Sequence, residues 1–395
     1  MVEFVYEILT RREEALIKAC LKARENETDR IYISPFDRVG KSGARLFRAY
    51  FCPERDCFPH IVKIDSAEKI KAEYSSFCKV SDYLQPHLIG SPQLPIYEED
   101  VDDPLGVLYF QIVSDSSFDL GRTSQFSDIV FDVSIDPDDE QEKVRQLRGI
   151  VETIYGNCLA RMADASTAEP EMVSLAEEYS WHIDAVRSLN PESKYKEIIG
   201  SSQFGSESVE LAGANFFNPT ILFKNIVDGE GAWGNAVPRN RRHVHGDLHC
   251  NNIVLNKEMQ PVLIDFAWAQ TNTDILKDFV LLENSLRVVM FPAHVNLSRH
   301  LEIDKMLIEE DGPQKVRSFL TGDEPLYRYY IRLLEVLSII REYARRYAGA
   351  GYDWAHYLQS QFITMYRQLS YDTPNSIVGF RTLGLIADAV RERHA

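Results

Sequence analysis

His245-Gly246-Asp247-Leu248-His249-Cys250-Asn251-Asn252, followed a short distance on by Ile264-Asp265-Phe266, is the stretch on which the reading of this chain turns. Between the two segments stand the apolar runs Asn252-Ile253-Val254-Leu255 and Pro261-Val262-Leu263-Ile264, joined by Asn256-Lys257-Glu258-Met259-Gln260. Short apolar runs flanking a polar turn predict a β-hairpin. Such a hairpin returns Asp265 to the side of Asn252. Asp247 then sits in the loop before the first strand, and Asn252 closes that loop.

Two carboxylates and an amide in this order suit phosphoryl transfer from ATP. That chemistry needs the phosphates held, their charge neutralised by metal, and an attacking hydroxyl placed beside a carboxylate. Asp247 is the candidate catalytic base. Asn252 and Asp265 offer hard oxygen ligands for Mg2+. His245 is expected to order the loop by hydrogen bonding. Zinc is a poorer reading of His243, His245 and His249, because the interposed Asp and Asn fit the magnesium site better.

The upstream part supplies candidates for holding ATP. Ile31–Ile33, Arg45–Phe51, His60–Ile64 and Gly106–Val113 read as strands, and 67–84 as a helix. Gly40, Ser42 and Gly43 lie between two of those strands, where glycines let backbone amides approach phosphate. A Walker A loop is excluded, since Pro35 stands where its first glycine is required. Lys63, within a strand, can reach the phosphates. Glu73 shares a helix face with Ile70 and Phe77 and is expected to pair with Lys63, whereas Glu68 points to another face. Gln111 to Val113 would end the strand that borders ATP.

The pattern H-G-D-L-H-x-x-N followed by I-D-F resembles the aminoglycoside phosphotransferase and choline kinase-like group of protein-kinase-like phosphotransferases. Ser42-Gly43-Ala44-Arg45-Leu46-Phe47 is also similar to that group's phosphate loop. The resemblance spans roughly residues 35–285. It implies Asp247 as base, Asn252 and Asp265 as metal ligands, and ATP with Mg2+ as cofactors. It also implies an α+β, two-lobed fold with a small β-rich N-lobe and a larger, mainly helical C-lobe. The expected layout is an N-terminal helical extension (1–30), an N-lobe (31–113) and a C-lobe (114–395). The C-lobe would carry the catalytic hairpin (243–268) and a helical acceptor-binding insertion (114–240). Gly246 and His249 replace residues usual in protein kinases, Ala267 follows Asp265-Phe266, and no Ala-Pro-Glu follows. These departures point to a small-molecule hydroxyl acceptor. A protein kinase and a nucleotide-binding pseudokinase acting as an interaction module are the alternatives.

Further local expectations follow from pattern alone. Residues 3–25 read as a helix, 114–140 as a loop or lid, and 141–190 and 273–395 as mostly helical. Tyr327–Tyr347 reads as a long helix with its arginines on the exposed side. Asp278 is either a brace for the catalytic loop, as the resemblance implies, or a plain residue of a helix N-terminus. The formal charge of −17 argues against a nucleic-acid backbone as partner. No apolar run approaches the ~18 residues a membrane span needs. The six scattered cysteines and the absence of a signal-like N-terminus suggest reduced thiols and a cytoplasmic location.

Overall fold

The computed structural model describes residues 3–4, 9–23, 30–35, 44–52, 58–85, 88–98, 101–112, 124–131, 139–164, 170–256, 258–289, 296–321, 327–371 and 375–394. On the N-terminal side, β1 (Glu3–Phe4), β2 (Arg30–Pro35), β3 (Arg45–Cys52), β4 (Phe58–Ser66), β5 (Gly90–Pro92), β6 (Ile96–Tyr97) and β7 (Leu105–Ile112) form one sheet. Its order is β1-β2-β3-β4-β7-β5, with β6 also paired to β7. Only the β1–β2 pairing is parallel among the described strands.

Alternation along β4 decides what each face of the sheet does. Val62 and Ile64 pack with Leu16, Ile17 and Cys20 of helix α1 (Arg11–Ala23). Ile61 and Lys63 face the other way, toward α2 (Ala67–Val80), where Ile61 meets Ile70, Leu108 and Phe110. Ser66 caps α2, its hydroxyl accepting from the Lys69 amide at 3.4 Å. Ile70, Glu73, Phe77 and Val80 form the buried stripe of that helix. A carboxylate inside an apolar stripe needs a partner, and the strand beneath provides Lys63.

The helix expected over 3–25 is corrected. Glu3 and Phe4 pair with Arg30 and Ile31, and α1 begins at Arg11. The start is set by a capping box. The Thr10 hydroxyl accepts from the Glu13 amide at 3.3 Å, and the Glu13 carboxylate accepts from the Thr10 amide at 2.7 Å.

The remainder is mostly helical. After β8 (Ser124–Gln125) come α3 (Phe126–Phe131), α4 (Glu140–Thr153), α5 (Ala160–Asp164), β9 (Glu171–Val173), α6 (Leu175–Glu178), α7 (Ser180–Leu189) and α8 (Glu192–Ile199). Then follow β10 (Ser208–Leu211), β11 (Ala214–Phe217), α9 (Pro219–Asp228), β12 (Val237–Arg239), β13 (Arg241–Val244), β14 (Ile253–Leu255), β15 (Pro261–Leu263) and β16 (Gln270–Asp274). The chain ends in α10 (Leu276–Asn284), α11 (Leu297–Leu307), α12 (Gly312–Phe319), α13 (Tyr327–Ala348), α14 (Trp354–Ser370) and α15 (Ser376–His394). The architecture is thus α+β, with a small, largely antiparallel sheet N-terminally and a mainly helical C-terminal part. No described helix is long and apolar enough to cross a membrane.

Two expectations for this part change. Within 114–140, residues 114–123 and 132–138 lie outside the described residues, but 124–131 is no loop: Phe126, Ile129 and Val130 of α3 are buried. The stretch up to 240 is not all helical either, because β10 and β11 form a hairpin and β9 pairs with β12. In α13 the arginines are not all exposed. Arg332 is buried against Glu140, 2.9 Å away, and donates to the Ile129 carbonyl at 3.0 Å.

Arg341 of α13 is buried as well, on Glu283 of α10. Glu283 is fully buried and accepts from Arg341 Nη2 at 2.6 Å, Arg287 Nη1 at 3.1 Å, Tyr357 Oη at 2.7 Å and Gln361 Nε2 at 2.9 Å. Burial pushes this carboxyl up, but Arg341 and Arg287 outweigh it and bring it down to about 2. A depressed folded-state value contributes stability above the ordinary carboxylate range, and that stability is lost as pH falls toward about 2. Glu283→Gln should therefore cost about 3–5 kcal/mol at neutral pH and flatten the acid limb of stability. Urea unfolding followed from pH 7 downward measures both; an unchanged acid limb would show that Glu283 is not its source.

Candidate active site

The loop 245–252 leaves β13 and is fixed from outside by Asp278, in the first turn of α10. The two carboxylate oxygens of Asp278 accept from the backbone amides of His245 (2.7 Å) and Gly246 (2.8 Å). Of the two readings open for Asp278, the structure selects the brace. The His245 ring donates from Nε2 to the Ile264 carbonyl at 3.0 Å, tying the loop to the end of β15, and its Nδ1 faces the Asp247 amide at 3.4 Å. The ring also packs on Phe266, tilted by 45° with ring centroids 4.5 Å apart. These contacts tie His245 to both the loop and the hairpin.

Gly246 is required here by its backbone. It adopts φ +78°, and a Cβ at this position would stand 2.0 Å from the Trp268 carbonyl oxygen. Asp247 follows directly after that turn, with its side chain mostly buried. Asn252 donates from Nδ2 to the Asp247 carbonyl at 2.9 Å, and its side-chain Oδ1 accepts from no donor among the described residues. The β14–β15 hairpin forms as expected, and Asn252 O accepts from Ile264 N at 3.0 Å. Asp265 follows directly, itself at φ +63°, and is about one-third exposed.

Lys63 and Glu73 meet at 2.8 Å, both almost fully buried, and Lys63 also reaches Asp265 at 3.2 Å. Burial alone would lower the Lys63 ammonium, but Asp265 and Glu73 outweigh it and hold it above its ordinary value. The Glu73 carboxyl is pushed up to about 7, first by burial and then by repulsion from Asp265. Phe77 of α2 lies edge-on to Phe266, centroids 5.6 Å apart, so apolar packing accompanies the ion pairs across the same junction. Glu68 is exposed and takes no part. Gln111 lies inside the sheet, its backbone paired with His60 and Ser91. Gly40, Ser42, Gly43 and Val113 fall outside the described residues.

The surroundings of Asp247 contain residues that the sequence reading missed. Arg367 of α14 approaches its Oδ1 at 3.4 Å, and His249 Nε2 lies 3.5 Å from Oδ2. Burial works against the Asp247 carboxylate, but Arg367, and then His249, hold the group well below the usual carboxylate range. Arg367 lies over the Trp268 ring, 3.9 Å from its centroid, and contacts His182 Nδ1 at 3.3 Å. Burial, and next Arg367, push His182 well below its ordinary value, so its ring is neutral and Nδ1 accepts. A faint signal existed: Trp354–Ser370 holds one arginine and no lysine, aspartate or glutamate. A lone charge in an otherwise buried helix calls for a partner, but sequence does not say which.

Comparison with known proteins adds the following. A family described as "Ternary complex associated domain 9" matches residues 185–370, a little under half of the chain. No curated protein matches the sequence. Among solved structures, a glucosamine kinase is 12% identical, with 97% of this chain and 84% of that chain covered and a TM-score of 0.46. A thermostable mutant of an aminoglycoside phosphotransferase, in ternary complex with ADP and hygromycin B, is 11% identical (85% and 99% covered, TM-score 0.39). A choline kinase from Streptococcus pneumoniae is 15% identical (82% and 99% covered, TM-score 0.34).

Two glycines give opposite expectations. Gly246→Ala forces a Cβ into the Trp268 carbonyl at positive φ and should destabilise by on the order of 1–3 kcal/mol. Gly149, exposed within α4 with nothing near its added Cβ, should gain roughly 0.5–1 kcal/mol as Gly149→Ala. Denaturant midpoints of the two variants decide; equal shifts of the same sign would contradict the loop geometry.

Proposed function

We propose that this chain is an ATP- and magnesium-dependent phosphotransferase that moves the γ-phosphate of ATP to a hydroxyl of a small molecule. The observation that carries this reading is the single ammonium of Lys63 in contact with both Glu73 and Asp265. It joins the sheet and its helix to the loop-and-hairpin unit at the point where ATP phosphates would lie. In this reading the sheet with α2 is the N-lobe, the helical part is the C-lobe, and the nucleotide binds between them. Fold likeness to sugar, choline and aminoglycoside kinases is compatible with this reading and carries none of it.

The residues fit the groups they would hold. Asn252 offers a free carbonyl oxygen and Asp265 a partly exposed carboxylate, both hard oxygen donors. Among the described residues no cluster of three or more His, Cys, Asp or Glu could hold a metal. Magnesium takes few protein ligands and completes its shell with water and phosphate, so two such oxygen donors suit it. Magnesium, when bound, neutralises charge on the phosphate oxygens. Lys63, held by Glu73, positions the α and β phosphates. Gly40, Ser42 and Gly43 cover the phosphates with backbone amides, and the strand end at Gln111–Val113 borders the base. Asp247 accepts a hydrogen bond from the acceptor hydroxyl and aims it. Its low proton affinity makes it an orienting group that takes the proton late, which suits a loose transition state. His245 keeps the loop in place.

Asp247→Asn should lower turnover on the order of 10²-fold or more while ATP still binds. Near-normal turnover in that variant would remove Asp247 from the chemistry. Asp265→Ala should abolish magnesium-dependent nucleotide binding, read by calorimetry; unchanged binding would place the metal elsewhere. A screen of hydroxylated metabolites and antibiotics with labelled ATP and magnesium tests the activity. Label appearing only on protein would mark a protein kinase, and binding without transfer a pseudokinase.

A further inference from the structure

The loop that carries Asp247 and the helix that carries Arg367 are both referenced to α10. Asp278, in the first turn of α10, holds the amides of His245 and Gly246. Further along, the Leu281 carbonyl accepts from Gln368 Nε2 at 3.3 Å. Asn284 Nδ2 donates to the Gln361 carbonyl at 3.1 Å and to the Thr364 hydroxyl at 2.9 Å. These bonds fix the register of α14 on α10. Arg367 stands between Thr364 and Gln368, inside the segment so fixed. The backbone before Asp247 and the carboxylate of Asp247 are therefore located by two separate routes, through Asp278 and through Arg367, from one buried helix.

Arg367 is itself immobilised. It is 5% exposed, and its guanidinium lies 3.9 Å from the centroid of the Trp268 ring. Nη1 donates to His182 Nδ1 at 3.3 Å and to Asp247 Oδ1 at 3.4 Å. Its charge is matched by Asp247, so what it adds to the site is direction. Contact with the indole face restrains the plane of the guanidinium, and His182 restrains its rotation within that plane. An ammonium on a flexible stem would supply the same charge without that geometry. The two oxygens of Asp247 differ accordingly. Oδ1 faces Arg367, whose side chain is 6% exposed, and Oδ2 faces His249, whose side chain is 29% exposed. Oδ1 is the anchored oxygen, and Oδ2 lies on the more open side.

We propose that Arg367 is a positioning residue: held by Trp268 and His182, it anchors Asp247 Oδ1 so that Oδ2 is presented to the acceptor hydroxyl. The proposal rests on the phosphotransferase reading and adds to it a residue from a helix outside every motif. Asp278 and the Gly246 turn set the backbone before Asp247 but leave χ1 and χ2 of its side chain free. Arg367 is the contact that settles those torsions from the buried side. A misplacement of about 1 Å between a reacting group and the residue that aims it costs on the order of 10²-fold in rate, so the anchor matters to turnover rather than to nucleotide affinity.

The test follows ADP formation from ATP and magnesium by the full chain, with water as the acceptor, and separates kcat from KM for ATP. Arg367→Lys keeps the charge and most of the bulk; it should lower kcat on the order of 10-fold or more and leave KM for ATP unchanged. Arg367→Ala should lose at least as much, and added ethylguanidinium should return part of the lost kcat there but none in Asp247→Asn. His182→Gln should lower kcat only while Arg367 is present, so that the double variant is no slower than Arg367→Ala alone. Wild-type kcat in Arg367→Lys overturns the proposal, because charge alone would then suffice. A loss in folded Arg367→Ala that ethylguanidinium leaves untouched overturns it too, as does a raised KM for ATP with kcat kept in either variant. Should Arg367→Ala not fold, the kcat and KM of Arg367→Lys decide. If ADP forms in a manner lost in Asp247→Asn while Arg367→Lys keeps wild-type kcat, only this proposal falls. If no Asp247-dependent ADP forms at all, the phosphotransferase reading falls and takes this one with it.

Discussion

Asp278 accepts hydrogen bonds from two successive amides, His245 and Gly246, and most of the site geometry hangs on that grip. Two neighbouring N–H groups can converge on one carboxylate only if the backbone turns sharply between them and the next residue. Gly246 allows the turn, at φ +78°, and the Trp268 carbonyl closes off the space that a side chain would need. The turn in turn separates the Asp247 side chain from the His245 ring, which reaches back to β15 while Asp247 meets Arg367. A buried carboxylate on one helix thus positions another carboxylate on a loop, without touching it.

A second constraint links the two parts of the molecule. Lys63 is buried, so its charge must be compensated, and it is compensated from both sides of a junction. Glu73 comes from the buried stripe of α2, and Asp265 comes from the hairpin. The Phe77–Phe266 contact joins the same two elements, since Phe77 follows Glu73 by one turn of α2 and Phe266 follows Asp265 directly. The sheet therefore cannot shift far over the helical part without exposing either a charge or an aromatic pair.

What the sequence disclosed and what it withheld divide along physical lines. Lys63 with Glu73, and Asn252 with Asp265, were legible because strand and helix periods, plus one tight hairpin, bring them together locally. The α+β character followed from the same periods. The capping box of Thr10 and Glu13 is a local signal for a helix that starts at Arg11, but the apolar spacing over 3–25 continues through it and masks that start. The burial of Arg332 and Arg341 was not legible. Helical spacing tells which face an arginine shares, but not that Glu140 or Glu283 arrives from another helix to cover it. Arg367 was hidden for the same reason: it lies far down the chain from the loop it contacts, and no local pattern announces the meeting. Gly40, Ser42, Gly43 and Val113 remain readings of the sequence.

Trp268 takes part in more of this arrangement than any motif suggested. Its carbonyl enforces the glycine turn, and its ring carries Arg367 within reach of Asp247. An indole held 3.9 Å from a guanidinium and near a neutral imidazole has an emission sensitive to small displacements of either. The chain has four tryptophans, so replacing the other three with phenylalanine would leave a built-in optical probe beside Asp247, able to report the arrival of a ligand there in real time without any attached dye.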